Sequence, residues 1–118
     1  LKCIIAGSRD MPESAFLSAM SRVHFNITEV VSGGARGVDS YGEAWAKARG
    51  IAIKRFPADW STHGKKAGFL RNVQMAEYAD VLVAVWDGKS RGTRHMISAA
   101  LRRKLKVKVF ILEEPCVT

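Results

Sequence analysis

With 118 residues and 47% of them apolar, the chain is read as one domain, able to bury roughly two-thirds of the surface its unfolded form exposes. Its two cysteines, Cys3 and Cys116, lack the spacing of a metal knuckle and the density of a secreted scaffold, and no apolar run approaches the roughly 20 residues of a membrane span. Leu1 to Ala6 is too short for a signal peptide, so the expectation is a soluble cytoplasmic protein whose net charge of +8 invites an anionic partner.

Lys2 to Ala6, short and rich in Ile, predicts a buried first strand. Asp10-Met11-Pro12-Glu13 opens a helix with proline in its first turn, and Phe16, Leu17, Met20 and Val23 keep the helical rhythm. Glu29 to Ser32 is the second strand. A second helix runs from about Val38 to Arg49, rich in Ala so that it can approach a sheet closely, and Gly50 ends it. Ile51 to Phe56 is the third strand, stopped by Pro57. Ala58 to Gly64 reads as the longest and most mobile connection. A third helix from about Lys65 to Tyr78 carries Phe69, Val73 and Ala76 on one face. The unbroken run from Val81 to Trp86 predicts a strand buried on both faces. Thr93 to Lys104 is the last helix, Val107 to Leu112 the fifth strand, and residues 113–118 a tail.

This βαβαβαβαβ alternation has no repeat and no internal linker. It predicts a three-layer Rossmann-like α/β fold, residues 1–118 forming a single domain around a doubly wound parallel sheet of five strands in the order 3-2-1-4-5. Three loops then leave strands and enter helices at one edge of that sheet: Gly7-Ser8-Arg9-Asp10, Ser32-Gly33-Gly34-Ala35-Arg36-Gly37-Val38-Asp39 and Asp87-Gly88-Lys89-Ser90-Arg91-Gly92-Thr93. Glycines allow close backbone approach, helix N-termini present free N–H groups, and Arg9, Arg36 and Arg91 offer planar recognition of phosphate or carboxylate. Any one of these loops is equally an ordinary turn with an exposed arginine, but three in register point to an anion site. Together with Arg9, Arg36 and Arg91, the cations Lys65, Lys66, Lys89 and Arg94 leave the crevice positive after Asp10, Asp39, Asp59 and Asp87 are subtracted. Lys47, Arg49, Arg102, Arg103, Lys104 and Lys106 belong to the opposite edge, as solvated caps of helix C-termini.

Familiar nucleotide signatures fail. Gly88-Lys89-Ser90 ends like a P-loop, but Val83 stands where its first glycine is required. The turn at Gly7 is not G-x-G-x-x-G, and no acidic residue closes the second strand to hold a ribose. Thr93 either donates to a phosphate or caps its helix. Asp39 holds ribose hydroxyls, polarises a water, or caps the second helix. Trp60 is the better candidate for stacking a base, since Trp86 finishes a buried strand. His24, His63 and His95 stand apart from any carboxylate or thiol at ligand spacing, so no metal site is expected. No G-x-S-x-G elbow offers a serine nucleophile.

The three loops together resemble those of the SLOG superfamily, Rossmann-like proteins related to the DNA-processing protein A family and the lonely-guy enzymes. Phe56-Pro57-Ala58-Asp59-Trp60, followed by Gly64-Lys65-Lys66-Ala67-Gly68-Phe69-Leu70-Arg71-Asn72 and Met75, is similar to the middle motif of its YspA-like, YpsA-related branch. The resemblance spans nearly the whole chain. It implies a site for a nucleotide or a nucleotide-derived ligand, ADP-ribose-like or a signalling nucleotide, with no other cofactor. By resemblance Gly7, Ser8 and Arg9 form its first wall, Gly33, Gly34, Arg36 and Asp39 the second, and Ser90, Arg91, Gly92 and Thr93 the phosphate cradle. Arg71 and Asn72 join them from the middle motif. Lonely-guy enzymes place a catalytic glutamate three residues after the threonine, a position held here by Met96, which argues against nucleoside-monophosphate hydrolysis by that route.

Three expectations follow for function. The first is a module that senses or sequesters such a ligand, and the second is a hydrolase of N-glycosidic or phosphoester bonds using Asp39 or Asp87 to activate water. The third is single-stranded nucleic-acid binding, as in the DNA-processing relatives, which share the Ser-Gly-x-Ala-Arg-Gly-x-Asp pattern. A homo-oligomer without a membrane partner is expected, because apolar helices of small open sheets often pair and relatives commonly dimerise.

Overall fold

Alternate side chains of β1 (Lys2–Gly7) and β4 (Val81–Trp86) feed two separate cores, because helices cover both faces of the sheet that these strands centre. The computed structural model describes residues 1–112. The sequence's tail, with Cys116, lies outside them. Adding β2 (Glu29–Ser32), β3 (Ala52–Arg55) and β5 (Lys106–Ile111), the strands pair in parallel throughout, in the order β3-β2-β1-β4-β5. This is the predicted Rossmann-like arrangement, and its winding reverses between β1 and β4.

On one face Cys3, Ile5, Val83 and Val85 pack against Phe16 of α1 (Glu13–Met20) and against Val38 and Ala46 of α2 (Val38–Ala48). On the other, Ile4, Ala6, Leu82 and Ala84 meet Met75 and Ala76, and Met96 and Ala100, from two later helices described below. Each large side chain fully buried here contributes about 1.5–3 kcal/mol from the removal of apolar surface from water. The central strands therefore hold the fold, while the flanking β3 and β5 are half exposed. Lys106 and Lys108 on the β5 edge discourage pairing with a second sheet.

The expected open connection after β3 is partly helical. Asp59 Oδ1 accepts from the Thr62 N–H at 3.2 Å and caps a one-turn helix, α3 (Trp60–His63), after which Gly64–Lys66 form a 3-10 turn leading into α4 (Ala67–Tyr78). Helix α5 (Arg91–Arg102) begins two residues before the expected Thr93. The cause is Asp87, whose Oδ1 accepts from the N–H groups of Lys89 and Ser90 at 2.8 Å each and turns the chain early. Helix α1 stops at Met20, so Val23 reaches the core from beyond its end.

The helix C-termini gather basic side chains at the edge opposite the βα turns. Arg103 pairs with Glu77 at 2.5 Å, and the Arg49 guanidinium lies 4.5 Å from the Trp45 ring centre. No helix of the described residues is long and apolar enough to cross a membrane.

Candidate functional site

The turn after β1 is stitched to the other two by Ser8. Its N–H donates to the Val85 carbonyl at 3.1 Å, its Oγ accepts from the Asp87 N–H at 3.0 Å, and its carbonyl accepts from the Val38 N–H at 3.5 Å. Ser8 is buried and spends its polar atoms on this seam, so the parts of the first turn that line the crevice are Gly7 and Arg9.

The turn after β2 folds around Asp39. This carboxylate, only 6% exposed in the first turn of α2, accepts from the Ala35 N–H at 3.3 Å, while the Gly34 N–H donates to Ser32 Oγ at 3.0 Å. Burial pushes the Asp39 carboxyl up to about 6, against the opposing pull of the Ala35 N–H and the nearby Arg71 guanidinium. Arg71 comes from α4, and its Nη1 donates to the Gly33 carbonyl at 2.6 Å. A Cβ on Gly33 would stand 2.6 Å from that nitrogen and 3.0 Å from Asp39 Oδ2, so any larger residue there would strike both side chains.

Asp39 carries a measurable consequence. Its carboxyl lies near 6 in the fold against an ordinary value of 3.8, so the native state binds this proton more tightly than the unfolded chain does. Its contribution to stability is therefore favourable below about pH 4 and is lost as pH rises through about 6, where the buried charge costs on the order of 3 kcal/mol. Asp39→Asn keeps a carbonyl for the Ala35 N–H and removes the charge. Thermal melting should show the variant more stable than the parent at pH 8, with the gain gone at pH 4; equal gains at both would refute the assignment.

The turn after β4 delivers the N-terminus of α5, whose first N–H groups have no carbonyl partner within the helix. Thr93 is buried in that first turn, its Oγ1 3.3 Å from Ser90 Oγ. Asn72 of α4 braces the turn: its Nδ2 donates to the Gly92 carbonyl at 3.2 Å and lies 3.2 Å from His95 Nδ1, while its Oδ1 accepts from Arg71 Nε at 3.1 Å. Phe69 stacks on His95 with ring centres 4.4 Å apart. Burial, with a smaller repulsion from Arg102, holds the His95 imidazole below its ordinary value and favours the neutral ring.

Together these turns enclose a crevice of two lobes at the switch point of the sheet. The first, about 160 Å³, is reached by Gly7, Arg9, Asp39, Trp60, Arg71, Asn72, Ser90, Gly92 and Thr93. Gly33 and Gly34 belong to the second, about 450 Å³, which shares Arg9, Ala35, Trp60 and Arg71 with the first. Ser8, Arg36, Arg91 and Asp87 line neither. The Arg36 side chain is 74% exposed and reaches Asp10 Oδ1 at 3.4 Å on the rim, and Arg91 is an exposed first residue of α5. The Asp87 carboxylate is held below its ordinary value by the N–H groups of Ser90 and Lys89, which occupy it as a turn cap.

Gly68, Phe69 and Met75 of the middle motif and Met96 of α5 also line the crevice, although no binding role was expected of any of them from the sequence. Lys65, Gly68, Asn72 and Met75 recur at helical spacing, and that periodicity is the signal that one face of this segment turns toward the loops. Arg55, the last residue of β3, lines the second lobe without having been expected there, and Pro57 and Ala58 of the middle motif join it.

Residues 1–63 match the YspA, cpYpsA-related SLOG family. The chain is similar to the Gene 61 protein of Mycobacterium phage D29, with 42% identity over 117 residues that span 90% of this chain and 93% of that protein. No solved structure gives a significant match.

Proposed function

The chain belongs to the YspA, cpYpsA-related SLOG family, and on that footing we propose that its crevice binds a nucleotide or a nucleotide-derived molecule, as a sensing or sequestering module. The observation that carries this reading is the meeting of the α5 N-terminus with Arg9, Lys65 and Arg71 around one cavity. The amides of Gly92 and Thr93, with the Thr93 hydroxyl, suit phosphate oxygens, and the helix dipole adds to their attraction. Arg9 and Arg71 supply charge-assisted hydrogen bonds from the facing walls. Trp60 lies beside Gly68, lines both lobes and is 55% exposed, which suits it to stack a base. Asp39 accepts hydrogen bonds from ribose hydroxyls in this arrangement.

The test is thermal melting with AMP, ADP-ribose, NAD and cyclic dinucleotides. A ligand held at about 100 times its dissociation constant adds about 2.7 kcal/mol, which raises the midpoint of a domain of this size by roughly 10 °C. Arg9→Ala combined with Thr93→Val should abolish the rise. Melting points unmoved by every one of these nucleotides would end the proposal.

A second reading rests on Asp39 alone. A buried carboxylate titrating near 6 within reach of a bound nucleotide has the basicity to activate water at neutral pH, which suits N-glycosidic or phosphoester hydrolysis. Chromatography of nucleotides incubated with the protein distinguishes the two: turnover that disappears in Asp39→Asn supports the enzyme, and intact ligand supports the binding module.

A further inference from the structure

The second lobe of the crevice is larger than the first and differs from it in charge. Its lining holds three guanidinium groups, Arg9, Arg55 and Arg71, and no carboxylate, whereas the first lobe contains Asp39. Arg55 is aimed, not loose. Its Nε and Nη2 lie 2.8 and 2.6 Å from Glu43 Oε1, and the same carboxylate accepts from Ser32 Oγ at 2.7 Å through Oε2. Ser32 Oγ in turn accepts from the Gly34 N–H at 3.0 Å, so Arg55 is tied to the backbone of the very turn that lines the lobe. Glu43 is absent from that lining, and the remaining guanidinium nitrogen of Arg55 has no hydrogen-bond partner among the described residues.

Trp60 and Arg71 stand where the lobes join. A phosphate seated at the α5 N-terminus occupies the first lobe, and a phosphate bonded directly to it remains near the same end. Arg9 and Arg71 face both lobes, but Arg55 lines the second alone, so a second anionic group set apart by a sugar or a nucleoside is the one suited to it. We propose that the site selects nucleotides bearing two separated anionic groups, one held at the start of α5 and the other by Arg55 with Arg9 and Arg71. This rests on the nucleotide-binding reading and narrows it, favouring bisphosphorylated nucleosides and dinucleotides with separated phosphates over contiguous diphosphates.

Calorimetric titration with three probes tests it: AMP, ADP, and adenosine 3′,5′-bisphosphate, which carries its phosphates on opposite sides of one ribose. The bisphosphate should bind about tenfold or more tighter than AMP and tighter than ADP, the gain expected of a new charge-assisted contact. Arg55→Ala should erase that advantage and leave AMP affinity within about twofold of the parent, because Arg55 lies outside the first lobe. Glu43→Gln is the control for collapse of the turn, since it loosens the pair but keeps the guanidinium; the preference should survive in it. Bisphosphate binding no tighter than AMP, ADP binding as tightly as the bisphosphate, or an equal loss for AMP and bisphosphate in Arg55→Ala would each overturn the two-lobe assignment while nucleotide binding itself stands. Failure of the bisphosphate to bind overturns the two-lobe assignment, and the melting series decides nucleotide binding separately.

Discussion

Arg71→Ala should weaken AMP binding about 100-fold, as read by calorimetric titration, whereas Arg36→Ala should change it by less than about twofold. The contrast follows from where the two arginines lie. Arg36 stands in the glycine-rich turn but points outward to Asp10, and a solvated pair of that kind contributes little. Arg71 comes from a helix 38 residues beyond Gly33, yet its guanidinium contacts that glycine's carbonyl and faces both lobes. Burial already holds it below its ordinary value, the mark of a cation kept partly dry before any anion arrives. Such a group loses little hydration on binding and so gives more of its attraction to the ligand. Arg71→Lys should recover only part of the affinity, because a lysine lacks the planar fork. Equal losses in Arg36→Ala and Arg71→Ala would show that the positive field, and not this placement, holds the ligand.

Gly7→Ala should destabilise the protein by about 3 kcal/mol or more, a fall in melting midpoint of roughly 10 °C. A methyl at Gly7 would stand 2.1 Å from the Val85 carbonyl oxygen and 2.8 Å from Val38 Cγ2. The first neighbour is backbone of a central strand and cannot rotate away. The second belongs to the fully buried first residue of α2, so relief requires moving that helix or parting β1 from β4. Gly92→Ala is the comparison, since nothing lies within 4 Å of its added carbon. It should melt within about 2 °C of the parent, the range of ordinary surface changes. A Gly7→Ala protein as stable as Gly92→Ala would mean that the β1 turn is not packed against α2 as described.

The strand order was legible because each strand alternates with a helix, and the unbroken Val81–Val85 run announced a strand covered on both sides. The glycine turns were legible as turns. What a linear reading misses is the direction of individual side chains. Ser8, Arg36 and Arg91 occupy the right loops, but one is sewn into the seam and two face solvent. The spacing of cations along the chain says nothing of that, because orientation depends on contacts made with distant segments. Helix α3 was different, for its signal was present: Asp59 three residues before Thr62 is an N-cap pattern, obscured by the polar, glycine-ended stretch around it. The environment of Asp39 was not readable at all. Its carboxyl rises because burial strips it of water, a result of packing and not of neighbours in sequence.

Two consecutive residues of α4 reach in opposite directions, Arg71 to the carbonyl of Gly33 and Asn72 to that of Gly92. A single helical step thus acts as a crossbar between the β2 and β4 turns, and the helix that bears it is anchored to the sheet by Met75 and Ala76. The width of the mouth is consequently fixed by hydrophobic packing beneath it and not by the suppleness of the glycines around it. An incoming molecule meets a gap whose gauge is set in advance, and widening it means lifting α4 off the sheet.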